Sequence, residues 1–349
     1  MKQLIFLLFL ETWTVGHNSN AEYVKKLEVD LSQMGRIGKH TVISIIVLLA
    51  VTVLGCGVHP RPGKPVAAPA ASEAKDGEPE KYTPLFRFIV YGDTRTNHLI
   101  HQEIVQSVLD AKPDFILQTG DLVQFASLGS QWGRFDRITK PIRDKNIPYY
   151  PARGNHDSAP YSRYTTEVRD KVDSGNKLYY RFDRKALRFI CLDTETAINE
   201  KSPQYHWLES ELQQAKLDGK IVVPFFHEAI FSAGKHAGEN RALRSVLHPL
   251  FIKYGVKVVF QGHDHLYYRT SRDSITYVVT GGGGAPLYDI QPGLLISGDV
   301  AKKLHHFCIA DVFSDRIDVR VLAKIPGESG TMKIDEFSVA LNLPEPAQK

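Results

Sequence analysis

The strongest constraint on the fold is an alternation of short β-branched and aromatic runs with longer amphipathic segments, which begins near Leu85. The short runs have the composition of strands, and three of the longer segments have the apolar spacing of helices. Strands interleaved with helices are typical of a layered α/β domain, which we predict over residues 85–325. The predicted strands are FRFIVY, DFILQT, IPYYPA, LRFICL, IVVPFF, VKVVFQ and SITYVV, and the predicted helices are HLIHQEIVQSVLDA, SPQYHWLESELQQAKL and RALRSVLHPLFIKYG.

Two later apolar runs, HHFCIADVF and RIDVRVLAK, follow one another without a helical segment between them. Neighbouring strands joined by so short a connection pair in antiparallel fashion, so we expect part of the sheet structure to be antiparallel. Residues 326–349 are predicted to form a weakly structured tail.

The N-terminal segment has the order of an export signal. Its second apolar run, VISIIVLLAVTVLG, follows Arg36 and Lys39, is shorter than the about 20 residues of a spanning helix, and leads to Cys56. The end of this run resembles a bacterial lipobox, which implies a lipid on Cys56 and an exported, membrane-anchored lipoprotein at the outer membrane or the periplasmic face. An uncleaved signal anchor is the alternative, and either interpretation exports the domain.

These features divide the chain before the domain into two parts. Residues 1–56 are an N-terminal extension and signal, in which Met34 is a candidate true start. Residues 57–84 are rich in Pro, Ala and charge, and we expect an extended linker there.

Composition narrows the partners and the ligand types. Forty-three Lys and Arg against 39 Asp and Glu leave a net charge of +4, which gives no electrostatic case for nucleic acid and favours a small-molecule partner. The three cysteines, Cys56, Cys191 and Cys308, are too few for a disulfide scaffold or a cysteine-rich zinc module. Cys191 and Cys308 lie in strand-like runs, and buried reduced thiols are expected in preference to a disulfide.

Polar residues of metal-binding type stand at the ends of five predicted strands. In α/β sheets, ligands bind beyond the carboxyl ends of the strands, so residues from distant parts of the chain meet there. Each ending alone is also compatible with a turn, a loop or a core histidine, and only the five together predict a metal site. They are Asp93, Asp121, Asn155–Asp157, His227 and His263–His265, and glycines that permit close backbone approach precede four of them, at Gly92, Gly120, Gly154 and Gly262.

The ligand types favour a pair of divalent or trivalent cations. Asp and His suit manganese, iron and zinc, and the absence of a thiolate cluster argues against a soft-metal site. The two oxygens of Asp121 would allow it to bridge ions about 3.5 to 4 Å apart. His263 and His265 are two apart in an extended segment, so both project to the same side.

The order GD, GD, GNHD, H and GHxH resembles that of the calcineurin-like metallophosphoesterase superfamily, including its purple-acid-phosphatase-like members. The segments WLESEL and TGGGGAPLY are also similar to this family. The resemblance implies a four-layer sandwich of two mixed β-sheets flanked by helices. It also implies a metal-dependent phosphoesterase in which a hydroxide that bridges two Mn, Fe or Zn ions attacks a phosphomonoester or phosphodiester. The motifs do not separate the two substrates or fix the oligomeric state.

The same resemblance implies residue roles. His156 matches the proton-handling histidine beside the leaving group, with Asp157 or another carboxylate orienting its ring. By the family pattern, Asp93, Asp121 and His265 hold a first metal, and Asp121, Asn155, His227 and His263 hold a second.

Two departures from the family pattern concern the first metal. Many members have DxH where this chain has Asp93-Thr94-Arg95, and Arg has only donors and cannot ligate a metal. Purple acid phosphatases supply a tyrosine three residues after the bridging Asp, where this chain has Gln124. His98 is a substitute ligand or, alternatively, the start of a helix. We therefore expect a weakened first site, with Arg95 contacting a phosphoryl group or supporting Asp93; the alternative is an arginine turned out to solvent.

Two further segments have open interpretations. Gly281–Gly284 would present backbone N–H groups to a phosphate or form a tight turn, and His236 would touch substrate or lie on the surface. The function itself has a rival: a catalytically weak surface lipoprotein that keeps the fold for binding. Arg95 favours that rival, whereas the retained ligands and His156 favour the enzyme.

Overall fold

The computed structural model describes residues 83–159, 163, 174–175 and 178–341. The predicted signal, Cys56 and nearly all of the predicted linker lie outside these residues. Within the described part of the chain, no helix is both long and apolar enough to cross a membrane.

The described residues form two mixed β-sheets and four α-helices. The strands are β1 (Phe86–Tyr91), β2 (Phe115–Gln118), β3 (Tyr149–Pro151), β4 (Ser174–Gly175), β5 (Tyr180–Arg184), β6 (Leu187–Cys191), β7 (Ile221–Phe226), β8 (Val258–Gln261), β9 (Tyr267–Arg272), β10 (Ile275–Thr280), β11 (Val300–Lys302), β12 (His306–Val312), β13 (Arg316–Ala323) and β14 (Met332–Ala340). The helices are α1 (His98–Asp110), α2 (Gly129–Asp144), α3 (Pro203–Leu217) and α4 (Arg241–Lys253).

Each sheet has a parallel part that directs strand ends toward one edge. The first sheet has the order β14-β13-β12-β1-β2-β3, in which β1, β2 and β3 are parallel and β12 to β14 are antiparallel. The second has the order β11-β9-β10-β8-β7-β6-β5-β4, in which β6, β7, β8 and β10 are parallel. The expected antiparallel pairing of β12 and β13 is confirmed.

Aromatic side chains fill the space between the sheets. The ring centroid of Phe88 lies 5.4 Å from that of Phe115 in its own sheet. It lies 5.2 Å from that of Phe189 and 6.1 Å from that of Phe260 in the second sheet. Phe88 is fully buried, so one side chain joins the two sheets at the centre of the core.

The helices cover the outer faces. Ile104 and Val108 of α1 belong to the same buried cluster as the first sheet. Leu208 of α3 and Phe251 of α4 belong to a second cluster with Val259 of β8. Two sheets with helices on both sides are the predicted four-layer sandwich, and that prediction is confirmed.

Local signals explain why three helices were predictable and one was not. The side-chain oxygen of Ser202 accepts the N–H of Tyr205 at 3.2 Å, with Pro203 at the first helical position, so α3 carries both start signals. Helix α2 has no such start signal, because its N-cap Leu128 makes no side-chain hydrogen bond, and it combines Gly133 with Pro141 in its interior, whereas α4 has a proline there but no glycine.

The C-terminal segment corrects one expectation. Residues 332–340, part of the predicted weak tail, form β14 and pair antiparallel with β13. The alternation was hard to recognise because only Val339 of this strand is fully buried and the pairing register shifts between Val321 and Leu322. The expected state of the domain cysteines is confirmed, since Cys191 and Cys308 are both buried and free.

We expect Phe88→Ala to lower the free energy of unfolding by about 3 to 5 kcal/mol, because it opens a cavity where both sheets contribute rings. Leu99→Ala is the control, since Leu99 is an apolar side chain on α1 that is 73% exposed, and its change should stay within about 0.5 kcal/mol. Urea unfolding of the full chain measures both. Similar losses in the two variants would contradict the placement of Phe88 at the centre of the core.

Candidate metal centre

The predicted site residues follow the carboxyl ends of strands from both sheets. Asp93 and Asp121 lie after β1 and β2, and Asn155 begins a short 3-10 turn after β3. His227 comes directly after β7, and His263 and His265 follow β8. The structure brings all six together, with hydrogen-bond or close contacts that link Asp93 to His265 and Asp121 to His227.

Three of these residues have a left-handed backbone. The φ angle is 57° at Asp93, 57° at Asp121 and 69° at His263. Such values are uncommon for residues other than glycine and are retained where the surrounding structure fixes them, often at functional sites. The strained backbone at each of these three residues therefore orients the side chain toward the site.

The second ligand group is centred on His227. Its Nδ1–H donates to the carbonyl oxygen of Thr119 at 2.8 Å, which leaves Nε2 as the acceptor nitrogen of the neutral ring. Nε2 lies 3.1 Å from Oδ1 of Asn155, 3.2 Å from Nδ1 of His263 and 3.5 Å from Oδ1 of Asp121. Acceptor atoms that converge in this way repel one another unless a cation or a proton lies between them.

The pKa values of His227 and His263 also indicate that positive charge is favoured among these acceptors. Burial acts to lower the pKa of His227, but the charges of Asp121 and Asp93 outweigh it and raise the pKa to about 9. Burial and the adjacent rings of His227 and His236 lower the pKa of His263 to about 2. At neutral pH His227 in the metal-free protein therefore carries a second proton, on Nε2, at the place where the neighbouring acceptors require positive charge.

The first ligand group consists of Asp93, Asp121 and His265, whose ligand atoms lie within 4.8 Å of one another. The Nδ1–H of His265 donates to the carbonyl oxygen of Pro286 at 2.7 Å, so its Nε2 faces the site as an acceptor, 3.4 Å from Oδ1 of Asp93. Oδ1 of Asp93 is buried without a hydrogen-bond partner. Burial acts to raise the pKa of Asp93, but His265 and the charge of His227 hold it below its usual value.

The guanidinium of Arg95 lies on this first group. Its Nε donates to Oδ2 of Asp121 at 3.0 Å, its Nη1 to Oε1 of Gln124 at 2.5 Å, and its Nη2 contacts Nε2 of His265 at 3.3 Å. The alternative of an arginine turned out to solvent is wrong. The guanidinium contacts His265, whose Nε2 lies 3.4 Å from Oδ1 of Asp93, so its support of Asp93 is indirect. His98 is the first residue of α1, as in the interpretation that it starts a helix.

The environment of His156 corrects the expectation about Asp157. The Nδ1–H of His156 donates to the backbone carbonyl of Gln124 at 2.9 Å, so no carboxylate orients the ring through this nitrogen. Asp157 instead accepts the N–H groups of Leu122, Val123 and Gly154. Burial and the charge of Asp121 raise the pKa of Asp157 to about 8. Asp157 therefore ties the turn after β3 to the turn after β2, which is a positioning role and not a catalytic one.

Glycines allow backbone to approach the carboxylates. A Cβ added at Gly154 would lie 2.4 Å from Oδ1 of Asp121, and one added at Gly281 would lie 2.9 Å from Oδ2 of Asp93. The N–H groups of Gly281 and Gly283 donate to Leu266 and Gly92. The glycine run thus packs behind the first motif, and the expected phosphate cradle is wrong at these two N–H groups.

Several residues near the site were not predicted. Glu228, the residue after His227, has Oε2 3.5 Å from Nε2 of His263. The ring of Tyr288 stacks on that of His265 with centroids 4.0 Å apart. Glu195 has a pKa raised to about 7 by burial, and Oε1 of this side chain is buried without a hydrogen-bond partner. Tyr288 had a sequence signal, since it ends the segment TGGGGAPLY, and Glu228 is adjacent to His227, whereas nothing near Glu195 marked it.

His236 joins this neighbourhood, as the substrate-contact interpretation required. Its ring centroid lies 4.2 Å from that of His263, and its Nδ1 lies 2.9 Å from Oε2 of Glu239. These three side chains form a second candidate metal-ligand cluster, which shares His263 with the second group.

The two ligand groups differ in how well they fit a metal ion. The second group offers converging acceptors, and there a metal competes only with the proton on His227, which fits a divalent ion held by carboxylate, amide and imidazole ligands. In the first group, Arg95 already bonds to two of the three ligands. The residues therefore fit a metal at the second position, and the first position holds a fixed positive charge of the protein.

Comparison with known proteins gives a consistent result. A family model described as calcineurin-like phosphoesterase matches residues 86–267, more than half of the chain. Purple acid phosphatase 22 of Arabidopsis thaliana is 30% identical over 174 residues, 46% of this chain and 39% of that protein. Purple acid phosphatase 1 of Ipomoea batatas is 29% identical over 177 residues, 45% of this chain and 36% of that protein. The chain spans less than half the length of these plant relatives.

Solved structures share the fold. A purple acid phosphatase from yellow lupin (Lupinus luteus) seeds superposes with a TM-score of 0.58 at 20% identity and covers 74% of this chain and 54% of that chain. A dimetal phosphatase from Danio rerio gives a TM-score of 0.51 at 14% identity, over 74% and 99%. GAP50, the anchor in the inner membrane complex of Plasmodium, gives 0.54 at 17% identity, over 72% and 88%. The predicted fold is confirmed by these matches.

The raised pKa of His227 predicts how metal binding depends on pH. Below about pH 9 the folded, metal-free protein carries a proton on His227, which a metal must displace, so the apparent affinity for Mn²⁺ should rise about tenfold per pH unit between pH 7 and 9. Titration calorimetry across this range measures it. An ordinary histidine, with a pKa near 6.5, would give a slope only below about pH 7, and a flat affinity above pH 7 would contradict the prediction.

Proposed function

Since the chain belongs to the calcineurin-like phosphoesterase family, we propose that it is a metal-dependent phosphoester hydrolase that acts on small phosphomonoesters or phosphodiesters. The observation that carries this proposal is the convergence of acceptor atoms on Nε2 of His227, with Asn155, His263 and Asp121 all within 3.5 Å of it. That arrangement requires positive charge among the acceptors, which a metal ion supplies in place of the proton on His227. It supplies an ion with oxygen and imidazole ligands at the strand ends where such enzymes bind substrate.

The second ligand group would hold Mn, Fe or Zn, and the bound metal would polarise a phosphoryl oxygen and lower the pKa of water. The backbone N–H of His156 donates to Oδ1 of Asp121 at 3.0 Å, which places the histidine next to the ligands. Because its Nδ1–H is committed to the carbonyl of Gln124, Nε2 is the nitrogen that exchanges a proton with the leaving oxygen. Arg95 adds fixed positive charge, which favours a phosphate anion.

A binding role on the same fold is the second candidate. GAP50, an anchor protein, has this fold, and Arg95 interferes with the first ligand group. The position of His156 favours the enzyme, since a binding protein has no need for a histidine ring with one nitrogen fixed and the other available for proton transfer.

Turnover of p-nitrophenyl phosphate and bis(p-nitrophenyl) phosphate by the full chain with Mn²⁺, Zn²⁺ or Fe²⁺ tests the function. The His227→Ala variant is the control, because it removes the central ligand of the second group. We expect metal-dependent hydrolysis of at least one ester that falls at least about a hundredfold in the variant. Equal, background rates in both proteins would leave the binding role as the function.

We expect His156→Ala to retain metal yet to hydrolyse alkyl phosphates about 10² to 10⁴ times more slowly, with a smaller loss on p-nitrophenyl phosphate, whose leaving group needs little protonation. His206→Ala, a change at an exposed histidine on α3, should leave both rates unaltered. Equal slowing on the two esters would argue against proton transfer by His156.

We also propose that the domain is exported and held at a membrane by a lipid on Cys56, with the uncleaved anchor as the alternative. The basic, apolar and small-residue order of residues 36–56 supports this proposal. Cys56→Ser should release the protein from the membrane fraction of a bacterial host, because the thiol that would carry the lipid is gone. Labelling with a radioactive fatty acid provides the control. An unchanged membrane fraction with no label in either protein would show that the apolar run itself is the anchor.

A further inference from the structure

The guanidinium of Arg95 is held on three sides, and its side chain is only 11% exposed. Nε donates to Asp121, Nη1 donates to Gln124, and Nη2 contacts His265. Gln124 thereby fixes the outer nitrogen while the other two face the first ligand group. These three contacts define one orientation of the guanidinium.

Two of the atoms that Arg95 contacts are the ones a first metal would use. Because Nδ1–H of His265 donates to Pro286, the lone pair of its Nε2 is the only one the ring can offer. A lone pair that accepts an N–H from Arg95 cannot bind an ion at the same time. Oδ2 of Asp121 is likewise bonded to the arginine at 3.0 Å.

We propose that Arg95 is a built-in competitor for the first metal position. While its guanidinium is docked on Asp121 and His265, the site holds one ion, at the second position, and a first ion binds only by displacing the arginine. This inference rests on the metal site of the proposed function and deepens it by assigning unequal loading of the two positions.

The first metal position can still accept an ion, because one of its ligand atoms makes no bond to Arg95. Oδ1 of Asp93 is buried without a hydrogen-bond partner, 3.4 Å from Nε2 of His265, and Arg95 does not reach it. An incoming ion would gain this oxygen first and then His265 and Asp121 as the guanidinium leaves. By contrast, the hydrogen bonds of Arg95 reach only Oδ2 of Asp121, not Oδ1, Asn155 or His263, so the competitor at the second position is the proton on His227 and not a guanidinium.

Electrostatics sets the size of the effect. A divalent ion and a guanidinium about 4 Å apart in a partly screened site repel strongly enough to weaken binding by more than two powers of ten. Displacement of the arginine avoids the repulsion only by breaking its bonds to Asp121 and Gln124. Whether the arginine stays and repels the first ion or is displaced by it, the first ion binds more weakly than the second.

Titration calorimetry of the full chain with Mn²⁺ alone, in the absence of substrate, tests the proposal. We expect one tight ion per chain and a second that binds at least about a hundredfold more weakly. Asp93→Asn should remove the weak class and leave the tight one, whereas His227→Ala should remove the tight class. These two variants assign each class to its position.

Variants of the competitor itself decide the mechanism. Arg95→Ala should reduce the ratio of the two Mn²⁺ affinities, the gap between the positions, at least tenfold. Gln124→Ala should reduce this gap less, because it removes only the hydrogen bond that holds Nη1 of Arg95. Arg95→Lys, which keeps the charge but cannot span the acceptors, should fall between them and serves if the alanine variant fails to fold. Arg134→Ala, which removes an exposed positive charge on α2, should leave the gap unchanged.

Two equally tight ions in the wild type would overturn the proposal. So would a gap that Arg95→Ala and Arg95→Lys leave unchanged, since the inequality would then come from the missing ligand alone. Because metal is counted without turnover, absent phosphoesterase activity would reject the proposed function and leave this result standing.

Discussion

The carboxylate of Asp121 is the contact on which the whole site depends. Oδ1 accepts the N–H of His156 and lies 3.5 Å from His227, while Oδ2 accepts from Arg95. Asp121 follows β2 of the first sheet, and His227 follows β7 of the second, so this one side chain joins the strand ends of the two sheets. Its left-handed backbone and the missing Cβ at Gly154 are the local conditions that allow both oxygens to be used at once.

Much of the fold and of the ligand set could be predicted because both depend on local pattern. Runs of alternating type identified most strands, and the polar residues at their ends identified Asp93, Asp121, Asn155 and the three histidines. The failures have physical reasons. Helix α2 contains Gly133 and Pro141, and β14 buries too little of its inner face to show a clear alternation.

What the sequence could not provide is the identity of hydrogen-bond partners across the fold. Position 157 looked like the partner of the His156 ring because a carboxylate next to a histidine is a familiar pairing. The ring is instead held by a backbone carbonyl, which every residue possesses and no composition reveals. In the same way, Arg95 and Gln124 were recognised as separate departures, but their mutual hydrogen bond depends on how two turns meet.

That mutual bond gives the two departures one explanation. The site is rich in buried carboxyl groups: burial raises the pKa of Glu195 to about 7 and that of Asp157 to about 8, so uncompensated negative charge is unfavourable there. An arginine at position 95 supplies a permanent positive charge that compensates these carboxylates. When a guanidinium is buried, its N–H groups need hydrogen-bond acceptors. Gln124 provides a third acceptor beside Asp121 and His265. A tyrosine at that position would offer a single hydroxyl, with its own proton to place, in a region already occupied by the guanidinium. Positions 95 and 124 therefore act as a pair. Where a tyrosine would have been a further metal ligand, Gln124 instead holds the guanidinium of Arg95, a positive charge that belongs to the protein.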